Sequence, residues 1–144
     1  MSVNAPREFV DTNVLVYAFD ASAAAKRETA AQLIAGLWHS GVGCLSVQVL
    51  QEFFVTVTGK VPRPLSVTDA ADRIREFSAW TVFVPGAEDV LAAIALQRDT
   101  KVRFWDALIL HAAVESGCET LWSEDLNDGQ MVRGVRIRNP FVGA

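Results

Sequence analysis

Short apolar runs alternate along the chain with longer stretches in which apolar residues recur at every third or fourth position. The first run covers residues 8–10, ends at polar residues, and is followed by an apolar turn or short helix over residues 14–19. Short β-branched or aromatic runs favour strands, whereas recurrence at three or four residues favours a helix that faces a core. The pattern therefore predicts a strand near the start of the chain and alternating helices and strands after it.

The remaining elements follow from the same periodicities and from the glycines and prolines that separate them. Further strands are predicted at residues 44–45, 81–84, 120–122 and, as a half-exposed edge strand, 135–138. Helices are predicted over residues 22–39, 47–57, 66–78, 87–98 and 105–115. A polar loop is predicted over residues 123–129.

Serines that precede three of these helices are predicted to accept hydrogen bonds from the free backbone N–H groups of the first turn. They are Ser22, Ser46 and Ser66, the last with Asp69 in the spacing of a capping box. Helical spacing also predicts which side chains of two helices point inward: Ala31, Ile34, Ala35 and Trp38 on the first, and Val90, Leu91, Ile94 and Ala95 on the fourth.

The order of the elements predicts the fold class. Strand and helix follow each other about four times, which is typical of a parallel sheet with helices on both faces. We therefore expect an α/β protein, a three-layer α/β/α sandwich with a central parallel sheet. No repeat, linker or low-complexity segment divides the sequence, so residues 1–144 are expected to form a single domain.

Composition and charge narrow the class of protein. Apolar residues make up 51% of the chain and charged residues 21%, which excludes a disordered or collagen-like chain. The net charge of −4 does not attract a polyanion, so a phosphate substrate would need a cation or a local basic rim. Cys44 and Cys118 are expected to be reduced core thiols. Residues 1–10 lack a signal peptide and no long apolar run is present, so a cytoplasmic protein without membrane contact is expected.

Four acidic residues are predicted to meet at one edge of the sheet. In folds of this class, ligands gather outside the carboxyl ends of the parallel strands, where the N-termini of the following helices also lie. Asp11 directly follows the first strand, and Asp125 lies shortly after a later one. Asp106 is in the first turn of the helix that leads into that later strand, and Glu52 is in the second turn of an earlier helix.

Crowded carboxylates raise one another's pKa unless a positive charge lies among them. A divalent cation would provide that charge, and an oxygen-only ligand set suits Mg²⁺ or Mn²⁺ better than Zn²⁺. The two histidines, His39 and His111, fall at helical positions away from the acids. Such a cation binds phosphate oxygens and lowers the pKa of bound water. The residues therefore predict hydrolysis of a phosphodiester.

Four motifs carry a resemblance to a known family. They are Val10-Asp11-Thr12-Asn13-Val14-Leu15, Gln51-Glu52-Phe53, Phe104-Trp105-Asp106-Ala107-Leu108-Ile109, and Leu121-Trp122-Ser123-Glu124-Asp125-Leu126 followed by Gly129. In this order they resemble a PIN-domain endoribonuclease, and most closely a VapC-like toxin of a bacterial type II toxin–antitoxin pair. The ending Asn139-Pro140-Phe141 is similar to that of a subgroup of the family, so the resemblance spans nearly the whole chain.

The resemblance implies roles for individual residues. Asp11, Glu52, Asp106 and Asp125 would be the catalytic acids that coordinate Mg²⁺ or Mn²⁺, and Thr12, Asn13 and Ser123 would lie beside the metal or the scissile phosphate. Many members have a second Asp two residues after the last of these acids, where this chain has Asn127 and then Asp128. Either Asp128 substitutes as a ligand, or one metal suffices until RNA brings its own phosphate oxygens.

The resemblance also implies partners: an RNA substrate, a small antitoxin whose tail enters the acidic groove, and a second copy of the chain in a homodimer formed by apolar helices. Other functions stay open at this point. A haloacid-dehalogenase-type phosphatase also begins with Asp at a strand end, although it normally has a second acid where this chain has Asn13. A non-catalytic metal-binding module is the third alternative.

Two sets of residues have more than one interpretation. Six basic residues either border the acidic site or form a solvated face: Arg98, Lys101, Arg103, Arg133, Arg136 and Arg138. Four tryptophans resemble base-stacking platforms, but their apolar neighbours favour packing in the core or between subunits: Trp38, Trp80, Trp105 and Trp122.

Overall fold

The computed structural model describes residues 5–142. Residues 1–4, on which part of the expectation about a leader rests, lie outside this range. The strands are β1 Arg7–Val10, β2 Gly43–Ser46, β3 Thr81–Phe83, β4 Cys118–Trp122, β5 Met131–Val132 and β6 Val135–Arg138. The helices are α1 Thr12–Phe19, α2 Ala25–Ser40, α3 Val47–Gly59, α4 Val67–Phe77, α5 Ala87–Thr100 and α6 Phe104–Glu115.

The strands form one sheet in the order β3-β2-β1-β4-β6-β5, and every neighbouring pair is parallel except β5 with β6. Helices α1 to α4 pack against one another, and α5 packs along α6. The prediction of a three-layer α/β/α sandwich is therefore confirmed. The chain passes from β1 outward to β3 and then returns to the opposite side of β1 with β4. The carboxyl ends of β1 and β4 thus meet where the direction of strand order reverses, which is the usual ligand-binding position in such sheets.

Burial follows from this arrangement. The two central strands contribute Phe9, Val10 and Leu121, all fully buried, because helices cover both faces of the sheet. The first apolar run is followed directly by helix α1, as the sequence suggested. Helix α6 is buried along most of its length, from Ala107 to Ala113. This helix anchors one face of the sheet, and its first turn lies at the edge where β1 and β4 end.

Two of the three predicted serine caps are confirmed. Ser46 accepts a hydrogen bond from the backbone N–H of Val49 at 3.3 Å, and Ser66 accepts one from that of Asp69 at 3.0 Å. The prediction that Ser22 caps a helix is wrong. Helix α2 begins at Ala25 without a side-chain cap, and the hydroxyl of Ser22 donates instead to the carboxylate of Asp20. A serine within two residues of an aspartate forms this local bond without any helix.

The prediction that residues 135–138 form the edge of the sheet is also wrong. Strand β6 lies between β4 and β5, and the edge is the two-residue β5. The connection between β5 and β6 is a tight turn through Arg133 and Gly134, both with positive φ. A strand of two residues is too short to give a detectable alternation, which is why the pattern missed it.

The inward faces of two helices differ from the prediction. On α2 the buried residues are Ala30, Ile34 and Leu37, so Ile34 is correct but Ala31 and Ala35 are exposed, and Trp38 is half exposed. On α5 the buried residues are Ala93 and Leu96, whereas Val90, Leu91, Ile94 and Ala95 face outward or are partly covered. Both helices carry apolar residues around most of their circumference, so spacing alone does not select the packed face.

Other expectations about the core hold. Cys44 and Cys118 are buried and, within residues 5–142, form no disulfide. Trp38 and Trp80 pack with Phe77 at the α2–α4 contact, as expected for structural tryptophans. No helix among residues 5–142 has the length and apolar character needed to cross a bilayer.

Gly43 provides a test of how tightly this corner is packed. A Cβ at Gly43 would lie 2.6 Å from the ring of Trp80, so Gly43→Ala is expected to lower the free energy of unfolding by about 1–3 kcal/mol. The matched control is Gly36→Ala, because Gly36 is exposed on helix α2 and a Cβ there meets no atom within 4 Å. That control is expected to be neutral or stabilising. Urea denaturation of both variants distinguishes the two effects, and equal values would contradict the packing described for Gly43.

Candidate active site

The four predicted acids line one cavity of about 260 Å³ at the carboxyl edge of the sheet. Asp11 follows β1 and is the N-cap of α1, Glu52 and Asp106 lie on α3 and α6, and Asp125 lies in the loop after β4. The sheet brings these distant segments together because β1 and β4 are neighbours. The backbone N–H of Asp11 donates to the carbonyl of Trp122 at 2.9 Å, which continues the β1–β4 pairing into the site.

Asp11 is the most buried of the four acids, with 6% of its surface exposed. Its carboxylate accepts hydrogen bonds from the hydroxyl of Ser123 at 2.7 Å and from the backbone N–H of Thr12 at 2.7 Å. Burial nevertheless raises the pKa of Asp11 to about 7, against these two hydrogen bonds, and the nearby carboxylates of Asp106 and Glu52 raise it further. Among the described residues, no positive charge therefore compensates the carboxylate of Asp11.

Hydrogen bonds from Thr12 and Asn13 organise two of the other acids. The hydroxyl of Thr12 donates to Glu52 Oε1 at 2.6 Å and links the first turn of α1 to α3. The amide of Asn13 donates to Asp125 Oδ2 at 2.9 Å. Both residues also line the cavity, so they are placed beside any group bound there, as the resemblance implies.

Two other residues implied by the resemblance lie elsewhere. Ser123 is fully buried and does not line the cavity. Its hydroxyl donates to the Asp11 carboxylate from the buried side. The position of Ser123 follows from the register of β1 and β4. Val10 pairs with Trp122, so the residues that follow them, Asp11 and Ser123, lie side by side. Asp128 does not line the cavity either. Its carboxylate accepts the backbone N–H of Asn139 at 2.8 Å, so it ties the loop to the C-terminal segment.

Gln48 is a site residue that the sequence did not reveal. It is buried on the first turn of α3, one turn before Glu52, and it lines the cavity. Its amide nitrogen donates to Glu52 Oε2 at 3.3 Å and to the backbone carbonyl of Trp105 at 3.2 Å. Both partners are acceptors, which fixes the orientation of the amide. Its oxygen is left buried without a protein partner among the described residues. The spacing of four residues from Glu52 was the available signal.

The rim of the cavity contains one cation and one aromatic side chain. Arg103 lines it, with Nε 3.4 Å from Asp106 Oδ2, and so does Trp105, which is 60% exposed. Of the two kinds of packing expected for Trp105, packing in the core is therefore wrong, and packing between subunits stays a prediction. The other candidate rim cations do not line the cavity: Arg98, Lys101, Arg133, Arg136 and Arg138.

The donor set fits a hard divalent cation. The cavity is lined by four carboxylates, and no histidine or cysteine lines it. His111 instead contacts Asp89, with Nε2 2.8 Å from Oδ1, where α5 meets α6. As placed, the carboxylates point to their hydrogen-bond partners, and no group of three His, Cys, Asp or Glu side chains in residues 5–142 is arranged to hold a metal ion. Joint coordination would therefore require some of these side chains to move from their present positions.

A second, larger cavity of about 610 Å³ adjoins the first and runs between α1 and α3. The two cavities share four lining residues: Thr12, Asn13, Glu52 and Asp125. The larger cavity is also lined by Val16 and Tyr17 from α1, by Val55 from α3, and by Lys60. The acidic cavity therefore opens into a longer groove with partly apolar walls.

Comparison with known proteins identifies the family. The sequence matches the PIN domain family over residues 9–127, which is most of the chain and includes all four acids. This chain belongs to the PIN domain family. The match does not favour the haloacid-dehalogenase-type phosphatase considered from the sequence.

Solved structures with the same fold support this assignment. VapC20 of Mycobacterium tuberculosis, described as a toxin that cleaves the sarcin–ricin loop, is 23% identical, with a TM-score of 0.63 over 82% of this chain and 89% of that one. A toxin–antitoxin complex from Klebsiella pneumoniae is 20% identical, with a TM-score of 0.66 over 93% and 98%. DNA-bound VapBC from Salmonella typhimurium is 16% identical, with a TM-score of 0.66 over 94% and 98%. No curated protein matches this sequence.

The raised pKa of Asp11 predicts a pH-dependent stability difference in EDTA. Because the folded pKa of about 7 exceeds the ordinary value of 3.8, the folded state binds more protons than the unfolded state between these values. The contribution of Asp11 to stability therefore falls as pH rises from about 4 to about 7, by up to about 1.4 kcal/mol per pH unit. The variant Asp11→Asn lacks this titrating group. Its free energy of unfolding should therefore rise relative to that of the wild type as pH increases across this range.

Urea denaturation at several pH values measures this difference. Asp69→Asn, an exposed change in the first turn of α4, is the control, and its difference from the wild type should not follow the same course. A constant difference between Asp11→Asn and the wild type from pH 4 to pH 7 would contradict the raised pKa.

Proposed function

We propose that this PIN domain protein is a metal-dependent endoribonuclease that hydrolyses RNA phosphodiester bonds and acts as the toxin of a toxin–antitoxin pair. The observation that carries the proposal is the shared cavity of Asp11, Glu52, Asp106 and Asp125, in which burial raises the pKa of Asp11. The family match over residues 9–127 supports a nuclease, and the solved VapC-type structures of the same fold support a toxin.

The residues have separate tasks in this proposal. Asp11, Asp106, Asp125 and Glu52 would hold Mg²⁺ or Mn²⁺, which supplies charge at the scissile phosphate and a bound water of lowered pKa. Thr12 and Asn13 orient Glu52 and Asp125 by the hydrogen bonds described above. Ser123 fixes the direction of the Asp11 carboxylate from the buried side. Arg103, at the rim, is placed to contact a phosphate oxygen.

The larger cavity offers a course for the RNA strand. It continues from the acidic cavity, so a strand with its scissile phosphate at the acids extends along α1 and α3. Lys60 is suited to a phosphate in this groove, and Val16 and Val55 are suited to the apolar face of a base. Local cations of this kind are necessary because the chain as a whole carries a charge of −4.

Two aspartates of one loop provide a matched test of the site. Asp125→Asn is expected to weaken Mn²⁺ binding at least tenfold and to abolish cleavage, because a charged oxygen ligand is lost. Asp128→Asn, three residues away, is expected to change both by less than about threefold, because Asp128 bonds to the backbone of Asn139. Isothermal titration with Mn²⁺ measures the first quantity. Internal cleavage of a mixture of structured RNAs, with Mg²⁺ and with EDTA, measures the second.

The outcomes separate the candidate functions. Equal loss in the two variants would contradict the proposed ligand set and return Asp128 to consideration as a ligand. Mn²⁺ binding without cleavage of any RNA would favour a non-catalytic module, and a trapped acyl-phosphate would favour a phosphatase. Cleavage that persists in EDTA would contradict metal dependence.

An antitoxin partner fits two surfaces of this chain. Among structures of the same fold, the Klebsiella pneumoniae protein is described as a toxin–antitoxin complex. In this chain an apolar groove of about 490 Å³ lies beside α3 and α4 and is lined by Leu50, Phe54 and Ile74, among others. An apolar segment of an antitoxin would fill this groove, and a basic tail would suit the acidic cavity. Both proteins would act in the cytoplasm.

A homodimer is supported by the outer face of α5. Val90, Leu91 and Ile94 are 40%, 67% and 39% exposed, and they are adjacent on one side of the helix. Neighbouring apolar side chains left in solvent are typical of a face that a partner covers. The helical spacing predicted these same residues in the core, and burial between two copies would satisfy that pattern in another way.

A charged substitution on the outer face of α5 tests whether this face forms the dimer interface. Leu91→Asp is expected to convert a dimer to a monomer at micromolar concentration, because it would bury an unpaired carboxylate between subunits. Val142→Asp, another exposed apolar position, is the control and should leave the oligomeric state unchanged. Size-exclusion chromatography with light scattering measures the mass. A wild-type monomer, or a Leu91→Asp dimer, would contradict this interface.

A further inference from the structure

Glu124 precedes Asp125 in the loop after β4 but does not line the acidic cavity. Both of its carboxylate oxygens are occupied on the other side of the loop. The hydroxyl of Tyr17 donates to Oε1 at 2.7 Å, and the ammonium of Lys26 pairs with Oε2. These partners come from α1 and α2, about 100 residues earlier in the chain. Glu124 is therefore a long-range anchor and differs from an ordinary solvated loop residue.

The anchor is connected directly to Asp125. The backbone N–H of Glu124 donates to Asn13 Oδ1 at 3.3 Å, and the amide nitrogen of Asn13 donates to Asp125 Oδ2 at 2.9 Å. One amide side chain thus holds both the backbone of residue 124 and the carboxylate of residue 125. Movement of Glu124 away from its partners would break its backbone bond to Asn13, which orients the amide that holds the Asp125 carboxylate.

The surroundings of Glu124 form a socket, which we define as Tyr17, Lys26 and Phe141. The rings of Tyr17 and Phe141 meet edge to face at 5.2 Å, and the Lys26 ammonium lies 5.0 Å from one ring centre and 5.6 Å from the other. Cation–π contact and the two bonds to Glu124 fix the position of the ammonium. The aromatic edge of the C-terminal segment therefore closes the socket around the pair.

The far end of the loop is held by the same C-terminal segment. Asn139 donates its backbone N–H to Asp128 and accepts that of Phe141 through its side chain, at 2.8 and 2.9 Å. This gives a use to the ending Asn139-Pro140-Phe141, which the acid site itself does not explain.

We propose that Glu124 is a positioning residue that holds Asp125 at the acidic cavity through the socket of Tyr17, Lys26 and Phe141. The inference rests on the proposed function in taking Asp125 as a metal ligand. Asp125 is exposed and sits on a loop, so without an anchor its carboxylate would sample many positions and lose conformational entropy on binding a cation. A site that fixes its ligands beforehand avoids this loss.

Tyr17→Phe and Glu124→Gln are the test variants. The first removes one hydroxyl and keeps the ring that packs on Phe141, and the second keeps an acceptor for Tyr17 while removing the charge that pairs with Lys26. Asp72→Asn is the control, because it breaks an exposed ion pair with Arg75 on α4. Thermal melting of each protein shows whether it remains folded.

The first measurement is backbone amide exchange in the metal-free protein, which requires no activity. Loss of the anchor is expected to raise exchange at the Glu124 amide about fivefold, the equivalent of one hydrogen bond. The amides of Ser123 and Gly129 donate to carbonyls of β6 and are expected to stay unchanged. The control variant should leave all three unchanged.

The second measurement is Mn²⁺ affinity by isothermal titration. Both variants are expected to weaken binding about three- to tenfold, and the effect should vanish when Asp125 is already Asn, because the anchor acts through that side chain. Faster exchange at Glu124 together with this coupling supports the proposal.

The outcomes distinguish this inference from the proposed function. Unchanged exchange at Glu124 in both folded variants would overturn the inference, and so would a loss of affinity that persists in the Asp125→Asn background. If the wild type binds Mn²⁺ but Asp125→Asn binds it equally well, the ligand role of Asp125 in the proposed function fails, and the positioning of a ligand fails with it. If the wild type binds no Mn²⁺, the proposed function fails first, and the exchange data alone decide whether Glu124 holds the loop.

Discussion

The candidate site depends on one constraint, the burial of the Asp11 carboxylate at the end of the central strand. Hydrogen bonds from Ser123 and Thr12 do not offset its desolvation, and the carboxylates of Asp106 and Glu52 add to the cost. A fold under selection for stability alone would place an apolar residue or a protonated group there. A bound cation would compensate the buried charge of Asp11. The carboxylate oxygens around Asp11 are the donors that a hard divalent cation prefers.

The topology explains why this constraint falls on Asp11. Strand β1 lies between β2 and β4, and the chain changes direction across the sheet on either side of it. The carboxyl end of β1 therefore lies beside that of β4 and near the N-terminal turns of α3 and α6. This is why the positions of the four acids relative to the predicted strands and helices located them: each follows a strand or lies in the first two turns of a helix, and both kinds of position lie at this edge.

Other features of the site were not predictable from local patterns, for physical reasons. The buried position of Ser123 follows from strand register, which alternation along one strand does not specify. Trp105 has apolar neighbours, yet it stands at the start of α6 with 60% of its surface exposed. Helix α5 is apolar on more than one side, so its packed face was decided by the fit of Ala93 and Leu96 and not by spacing. The bonds of Glu124 join segments about 100 residues apart, which no window of sequence contains.

The charge of the molecule places a final condition on the proposed reaction. An RNA phosphate approaching Asp11, Glu52, Asp106 and Asp125 meets four acids, while the cations that line the two cavities are Arg103 and Lys60. Repulsion between the phosphate and these carboxylates is strong because the cavity is partly desolvated. Productive binding therefore requires the cation to enter before the phosphate or together with it. A loop that holds Asp125 in place beforehand favours the first order, since one proposed ligand of the metal is then in position without the RNA.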